Sequence, residues 1–131
     1  MFALDTNTLI YFFKHEGQIA AHLQRVVASQ IHIPSLVLFE LEYGILRSTH
    51  PALQRRGIDA ALQAYRLIPF DANAAKSAAH IKHTLEAVGT PIGHIDQLIA
   101  GTALAHNLTL ITRNTREFER VPGLRVENWY D

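Results

Sequence analysis

The sequence predicts an α/β fold, with a parallel sheet of about four to five strands covered by helices on both faces. Three observations lead there. Short apolar, often β-branched runs recur along the chain. Longer segments with helical apolar spacing separate them. The joints carry Asp, Ser, Pro and Gly, the residues that let a chain leave a strand and start or stop a helix. With 131 residues and no repeat, low-complexity tract or linker, the chain reads as one domain over residues 1–131 with a substantial core.

Phe2 to Leu4 is the first strand-like run, and Asp5-Thr6-Asn7 can cap a helix through Leu9-Ile10-Tyr11-Phe12. Helical spacing resumes from Gln18 to Ala28, and Ile31-His32-Ile33 reads as a second strand. Ser35, after Pro34, is a fitting N-cap for a helix reaching about Arg47. Pro51 opens an Ala-rich helix to Tyr65, and Arg66-Leu67-Ile68 is strand-like. Asp71 opens a long helix through Ala75, Ala79, Ile81 and Leu85, which Gly89 and Pro91 stop. Ile95 to His106 is helical, Thr109 to Thr112 is a strong strand, and Leu124-Arg125-Val126 is the expected last strand.

Composition narrows the function. Hydrophobic residues make up 48%, as in a globular chain, and no apolar run approaches the roughly 20 residues of a membrane span. The N-terminal stretch Met1 to Asp5 lacks the basic region and cleavage site of a signal peptide, and the absence of cysteine excludes a thiolate metal site. A cytoplasmic address is the expectation. Lys and Arg total 12 and so do Asp and Glu, which argues against holding nucleic acid by bulk charge. A nuclease that brings a metal to the phosphate is not excluded, because the metal supplies the positive charge.

Sites in parallel sheets lie beyond the carboxyl ends of the strands. Asp5 and Asn114 fall at such ends, Asp96 opens a helix, and Glu40 lies within one. Carboxylates repel unless a cation lies between them, so a convergence of Asp5, Glu40 and Asp96 points to a hard divalent metal. Each residue also has a plainer explanation. Asp5 and Asp96 could be N-caps, but Thr6 and Asn7 are able to cap in place of Asp5, leaving it free to face the sheet edge. Asn114 binds an ion through water or stabilises a turn. Glu40 sits in an apolar helix, yet Glu42 competes for its role, and residues two apart on a helix point about 200° from each other. Periodicity does not choose between them, because Leu38, Ile45 and Leu46 make the other face apolar too. His80 and His83 share a helix face but lack a third ligand at zinc spacing, and no serine elbow, Walker loop or dinucleotide fingerprint is present.

Five blocks in order resemble the PIN-domain family, specifically the VapC toxins of bacterial toxin–antitoxin pairs. They are Leu4-Asp5-Thr6-Asn7, Phe39-Glu40-Leu41-x-Tyr43-Gly44, Pro91-Ile92-Gly93-x-x-Asp96-x-Leu98-Ile99-Ala100, Thr112-Arg113-Asn114-x-Arg116-Glu117-Phe118, and Val121-Pro122-Gly123-Leu124. The resemblance implies a PIN-like three-layer α/β/α fold and an endoribonuclease that uses Mg²⁺ or Mn²⁺ on RNA, transfer RNA above all. It implies Asp5, Glu40 and Asp96 as the metal-binding acids, choosing Glu40 over Glu42, with Asn114 at the fourth catalytic position. The amide there leaves one charge fewer for a second metal. Glu117 is an extra carboxylate or a partner of Arg113 or Arg116. Thr6, Asn7, Thr112, Arg113 and Arg116 are the candidate contacts to substrate.

A VapB-type antitoxin as inhibitor, inserting a basic side chain among the acids, is implied as well, with DNA reached only through it. So is a homodimer, for which Leu38, Leu46, Leu53 and Leu62 are candidate surface residues if they are not core. The alternative within the same fold is a catalytically weak RNA-binding module. A haloacid-dehalogenase-type phosphatase would need a second aspartate where this chain has Asn7.

Overall fold

The computed structural model describes residues 1–131. Five parallel strands form one sheet in the order β3-β2-β1-β4-β5: β1 Phe2–Leu4, β2 Ile31–Pro34, β3 Arg66–Ile68, β4 Thr109–Ile111 and β5 Val126–Glu127. The helices between them are α1 Thr6–Phe13, α2 Ile19–Gln24, α3 Ser35–Leu46, α4 Pro51–Ala64, α5 Ala72–Ala87, α6 His94–Ala105 and α7 Thr115–Phe118. The chain runs from β1 outward through β2 to β3 and returns to β4 and β5 on the other side of β1, and right-handed crossovers in both directions place helices on both faces.

β1 is central, pairing Ala3 with His32 of β2 on one side and with Leu110 of β4 on the other. The strand order reverses at β1, so the crevice of a doubly wound sheet opens between the carboxyl ends of β1 and β4. Asp5 and Thr112 are the first residues past those ends, and the Asp5 N–H still donates to the Ile111 carbonyl at 3.1 Å. Ala3, Leu4, Ile31, Ile33, Leu110 and Ile111 are buried beneath them. The crevice therefore rests directly on the buried core.

The tightest helix contact is between α5 and α6. A Cβ on Gly101 would lie 2.7 Å from the Cβ and backbone nitrogen of Ala78, closer than real atoms pack. Gly101→Ala should therefore destabilise the fold by about 1–3 kcal/mol. Urea unfolding would show this as a lower midpoint at unchanged slope.

Several boundaries differ from those the sequence predicts. Ser35 is not the N-cap of α3; Pro34 holds that position, and the Ser35 hydroxyl accepts from the Phe70 N–H at 3.1 Å. The expected Gln18–Ala28 helix is only Ile19–Gln24, followed by a 3-10 turn at Ala28–Gln30. In α5 the buried stripe is Ala74, Ala78, Ile81 and Leu85, while Ala75 and Ala79 face outward. Asp71 does cap α5, accepting from the Ala74 N–H at 2.9 Å. The last strand begins at Val126, because Leu110 and Thr112 donate to the Arg125 and Glu127 carbonyls and so fix its register. No helix is long and apolar enough to cross a membrane.

Candidate active site

Asp5 caps α1 itself, correcting the expectation that Thr6 and Asn7 would do so. Its Oδ1 accepts from the Thr8 N–H at 2.8 Å, and its carboxylate is also hydrogen-bonded to the Thr112 side chain. Capping does not remove it from the site, since a carboxylate offers about four acceptor positions. Asp5 is 7% exposed, and burial pushes its pKa up, with the charge of Glu40 adding to the rise. Thr112 is fully buried, and its Oγ1 also accepts from the Asn114 N–H at 3.0 Å. The hydroxyl is thus placed to orient Asp5 and Asn114 from below.

Glu40 comes from the second turn of α3, where its Oε1 accepts from the Thr6 hydroxyl at 2.5 Å. That bond ties α3 to the start of α1 and turns Glu40 toward the crevice. Glu42 points elsewhere. The two guanidinium nitrogens of Arg55 grip its two oxygens at 2.6 Å each, and this holds its pKa below the usual carboxylate range. The structure thus separates two glutamates that periodicity leaves equivalent.

Asp96 is the third residue of α6, whose N-cap is Gly93, so Asp96 does not serve as the cap. Burial first, and then the charge and hydrogen bond of Glu117, push its pKa up to about 7, with Glu40 and Asp5 contributing repulsion. Asn114 occupies the N-cap position of α7 without a capping bond; its amide instead donates to Glu117. The other Glu117 oxygen accepts from the Gly93 N–H at 3.1 Å. Glu117 therefore bridges α7 to the start of α6 and pairs with neither Arg113 nor Arg116. Arg113 lies 3.6 Å above the Tyr130 ring and 5.6 Å from that of Tyr11. Arg116 and Asn7 are exposed.

Of the four carboxylates at the crevice, Asp96 feels the charge of Glu117, Glu40 and Asp5, and Asp5 feels that of Glu40. None takes part in an ion pair, since the four present in the molecule involve other acids. No three acidic or histidine side chains stand close enough to enclose one ion in this conformation. The donor chemistry nonetheless fits a hard divalent cation: all oxygen and net negative, with Asp5 and Asp96 raised in pKa by burial first and then by neighbouring charge that a cation would relieve. Side chains that sequence reasoning missed also frame the crevice. Phe39, Tyr43, Arg47 and Ile95 line a groove of about 720 Å³ that begins at Thr6 and Glu40.

A parallel sheet that gathers unpaired carboxylates at its switch point defines an acid-cluster α/β protein, suited to chemistry at a charged oxyanion ester. The chain belongs to the PIN-domain family, whose model matches residues 2–124, and within it to the VapC group. It is 36% identical over 128 residues to the tRNA(fMet)-specific endonuclease VapC of Salmonella typhimurium, covering 98% of this chain and 97% of that protein. Ribonuclease VapC2 of Rickettsia felis is 36% identical over 131 residues, covering 98% of each. Among solved structures, DNA-bound VapBC from Salmonella typhimurium superposes with a TM-score of 0.91 at 36% identity, over 98% of this chain and 97% of that one. VapBC2 from Rickettsia felis, bound to a DNA fragment from its promoter, superposes at 0.90 with 36% identity, over 98% of each chain.

Proposed function

We propose that this protein is the toxin of a VapBC-type pair, acting through residues 1–131 as one PIN domain in the cytoplasm. It is an Mg²⁺-dependent endoribonuclease, with Mn²⁺ able to substitute, and its substrate is transfer RNA. The observation that carries the reading is the unpaired carboxylate cluster at the β1/β4 crevice, in a chain of the VapC group.

Asp5 and Asp96 would hold the ion, with Glu40 adding to the oxygen set and Asn114 as the neutral fourth corner. When bound, the ion supplies a water of lowered pKa and positive charge at the phosphate. Glu40, aimed by Thr6, is the carboxylate that would orient a nucleophile at the crevice and act as its general base. Thr112 fixes Asp5 from the buried side, and Glu117 holds Asn114 and the α6 N-terminus in register. Arg113, Arg116 and Asn7 are the surface groups that supply phosphate contacts next to the crevice.

The restraining partner is a VapB-type antitoxin, which inhibits by placing a basic side chain among the acids and which carries any DNA contact. Its support is that solved structures similar to this chain over nearly its full length include VapBC assemblies. The toxin pairs as a homodimer, for which Leu46 and Leu53, at 84% and 63% exposed, are the accessible members of the four expected leucines. Leu38 and Leu62 pack against the core instead.

A second reading has one observation in its favour. The acids are not drawn into a closed shell, as would suit a catalytically weak RNA-binding module. Incubating the purified protein with total bacterial tRNA, in Mg²⁺, Mn²⁺ or EDTA, decides between them. Discrete fragments in either metal and none in EDTA are expected. Retained but uncleaved RNA in both metals would favour the binding module, and equal cleavage in EDTA would exclude the metal mechanism.

A further inference from the structure

We propose that the groove on α3 is a stacking site for a nucleotide base flanking the cleaved phosphate, with Phe39 and Tyr43 as its platform and Gly44 as its floor. The inference rests on the ribonuclease reading and names where the substrate lies.

Phe39, Tyr43 and Arg47 recur every four residues, so they form one stripe along α3, each step rising about 6 Å. Phe39 and Tyr43 are 57% and 52% exposed, unusual for large aromatic residues. The Arg47 guanidinium sits 5.1 Å above the Tyr43 ring. Exposed rings beside a guanidinium are the chemistry that single-stranded nucleic acid uses, with bases stacking on the faces and the cation meeting the backbone. The groove is also continuous with the crevice, because Thr6 and Glu40 line both.

Gly44 points to a ligand independently. It lies within α3, where glycine is among the least favourable residues, and has an ordinary helical backbone. A Cβ placed there would meet nothing within 4 Å. No contact inside this chain calls for glycine at a position that lines the groove. Its missing side chain makes room for something outside the chain to approach the helix.

The test uses fluorescein-labelled oligo(rA) ten nucleotides long and an abasic decamer with the same phosphates. Their binding is followed by anisotropy in the Asp5→Asn background, which keeps the probes intact. Tyr43→Ala should weaken oligo(rA) binding about tenfold and leave the weaker abasic binding unchanged. Gly44→Ala should raise the Tm by about 3 °C yet weaken oligo(rA) binding, a pairing that a purely structural glycine would not give. Oligo(rA) binding unchanged in Tyr43→Ala would overturn the proposal, as would equal losses for both probes. Loss of the dimer or of antitoxin binding with RNA binding intact would assign the face to a protein partner and overturn it as well. A parent protein that cleaves no tRNA in any metal would remove the ribonuclease reading, while the decamer measurements would still decide the groove.

Discussion

Asp5→Asn and Asp96→Asn should each lower tRNA cleavage by roughly 10³-fold, the scale at which losing one preorganised electrostatic group acts on a charged transition state. Both substitutions keep the side-chain shape, and both should leave the fold standing. In Asp5→Asn the amide oxygen can still accept from the Thr8 N–H and cap α1, so circular dichroism should be unchanged. What is lost is the negative charge at the end of β1. If either purified variant cleaved tRNA at the parent rate with metal dependence intact, the assignment of that residue would be wrong.

Asp96 adds a pH signature to this prediction. In the metal-free protein its pKa is raised to about 7, so the folded state favours the proton more than the unfolded chain does. Such a group stabilises the fold at low pH, and its contribution is lost as the pH rises through about 7. Thermal melts in EDTA should therefore show the parent falling in stability from pH 6 to pH 8, with Asp96→Asn falling less. Added Mg²⁺ should reverse the order at pH 8, because only the parent gains from the ion. Binding must displace the proton, so apparent metal affinity should tighten over the same interval. Stability and catalysis make opposite demands on this carboxylate, which is expected where a site holds charge that only a ligand neutralises.

The strands were legible where a short apolar run meets a polar residue. Phe2–Leu4 stops at Asp5 and Arg66–Ile68 stands between two helices, and both have the bounds the sequence predicts. Caps were less legible, because several neighbouring residues can serve and the choice depends on distant partners. The Ser35 hydroxyl is drawn away by the Phe70 N–H, thirty-five positions on. α7 has four residues, too few for periodicity to register, so the sequence leaves open whether Glu117 is an extra carboxylate or an arginine's partner. That short helix is pinned by buried Phe118, and it carries Glu117 to the Gly93 N–H rather than to the neighbouring arginines. Asp5 illustrates a different gap. Capping and site duty looked like alternatives in the sequence, but one carboxylate accepts from Thr8 and still faces Glu40's charge.

Glu40→Gln should reduce cleavage roughly 10²-fold, whereas Glu42→Gln should leave it close to the parent rate. The two residues are two apart on one helix, chemically identical, and set in equally apolar surroundings, so only their partners distinguish them. Glu40 accepts from the Thr6 hydroxyl, one residue from Asp5, and its charge reaches both Asp5 and Asp96. Its amide variant keeps an oxygen for Thr6 but can neither take a proton from water nor add negative charge to the ion's shell. Glu42 is already neutralised by Arg55 of α4 on the far side of α3, and Asp59 shares that cation at 3.6 Å. Breaking this exposed pair should cost little stability, since solvent screens it and α3 and α4 still pack through their apolar faces. Measuring both variants against total tRNA in Mg²⁺, beside their thermal melts, isolates orientation from charge. Equal losses in the two would mean that net charge on α3 matters rather than position, and the role given to Thr6 in aiming Glu40 would fall with it.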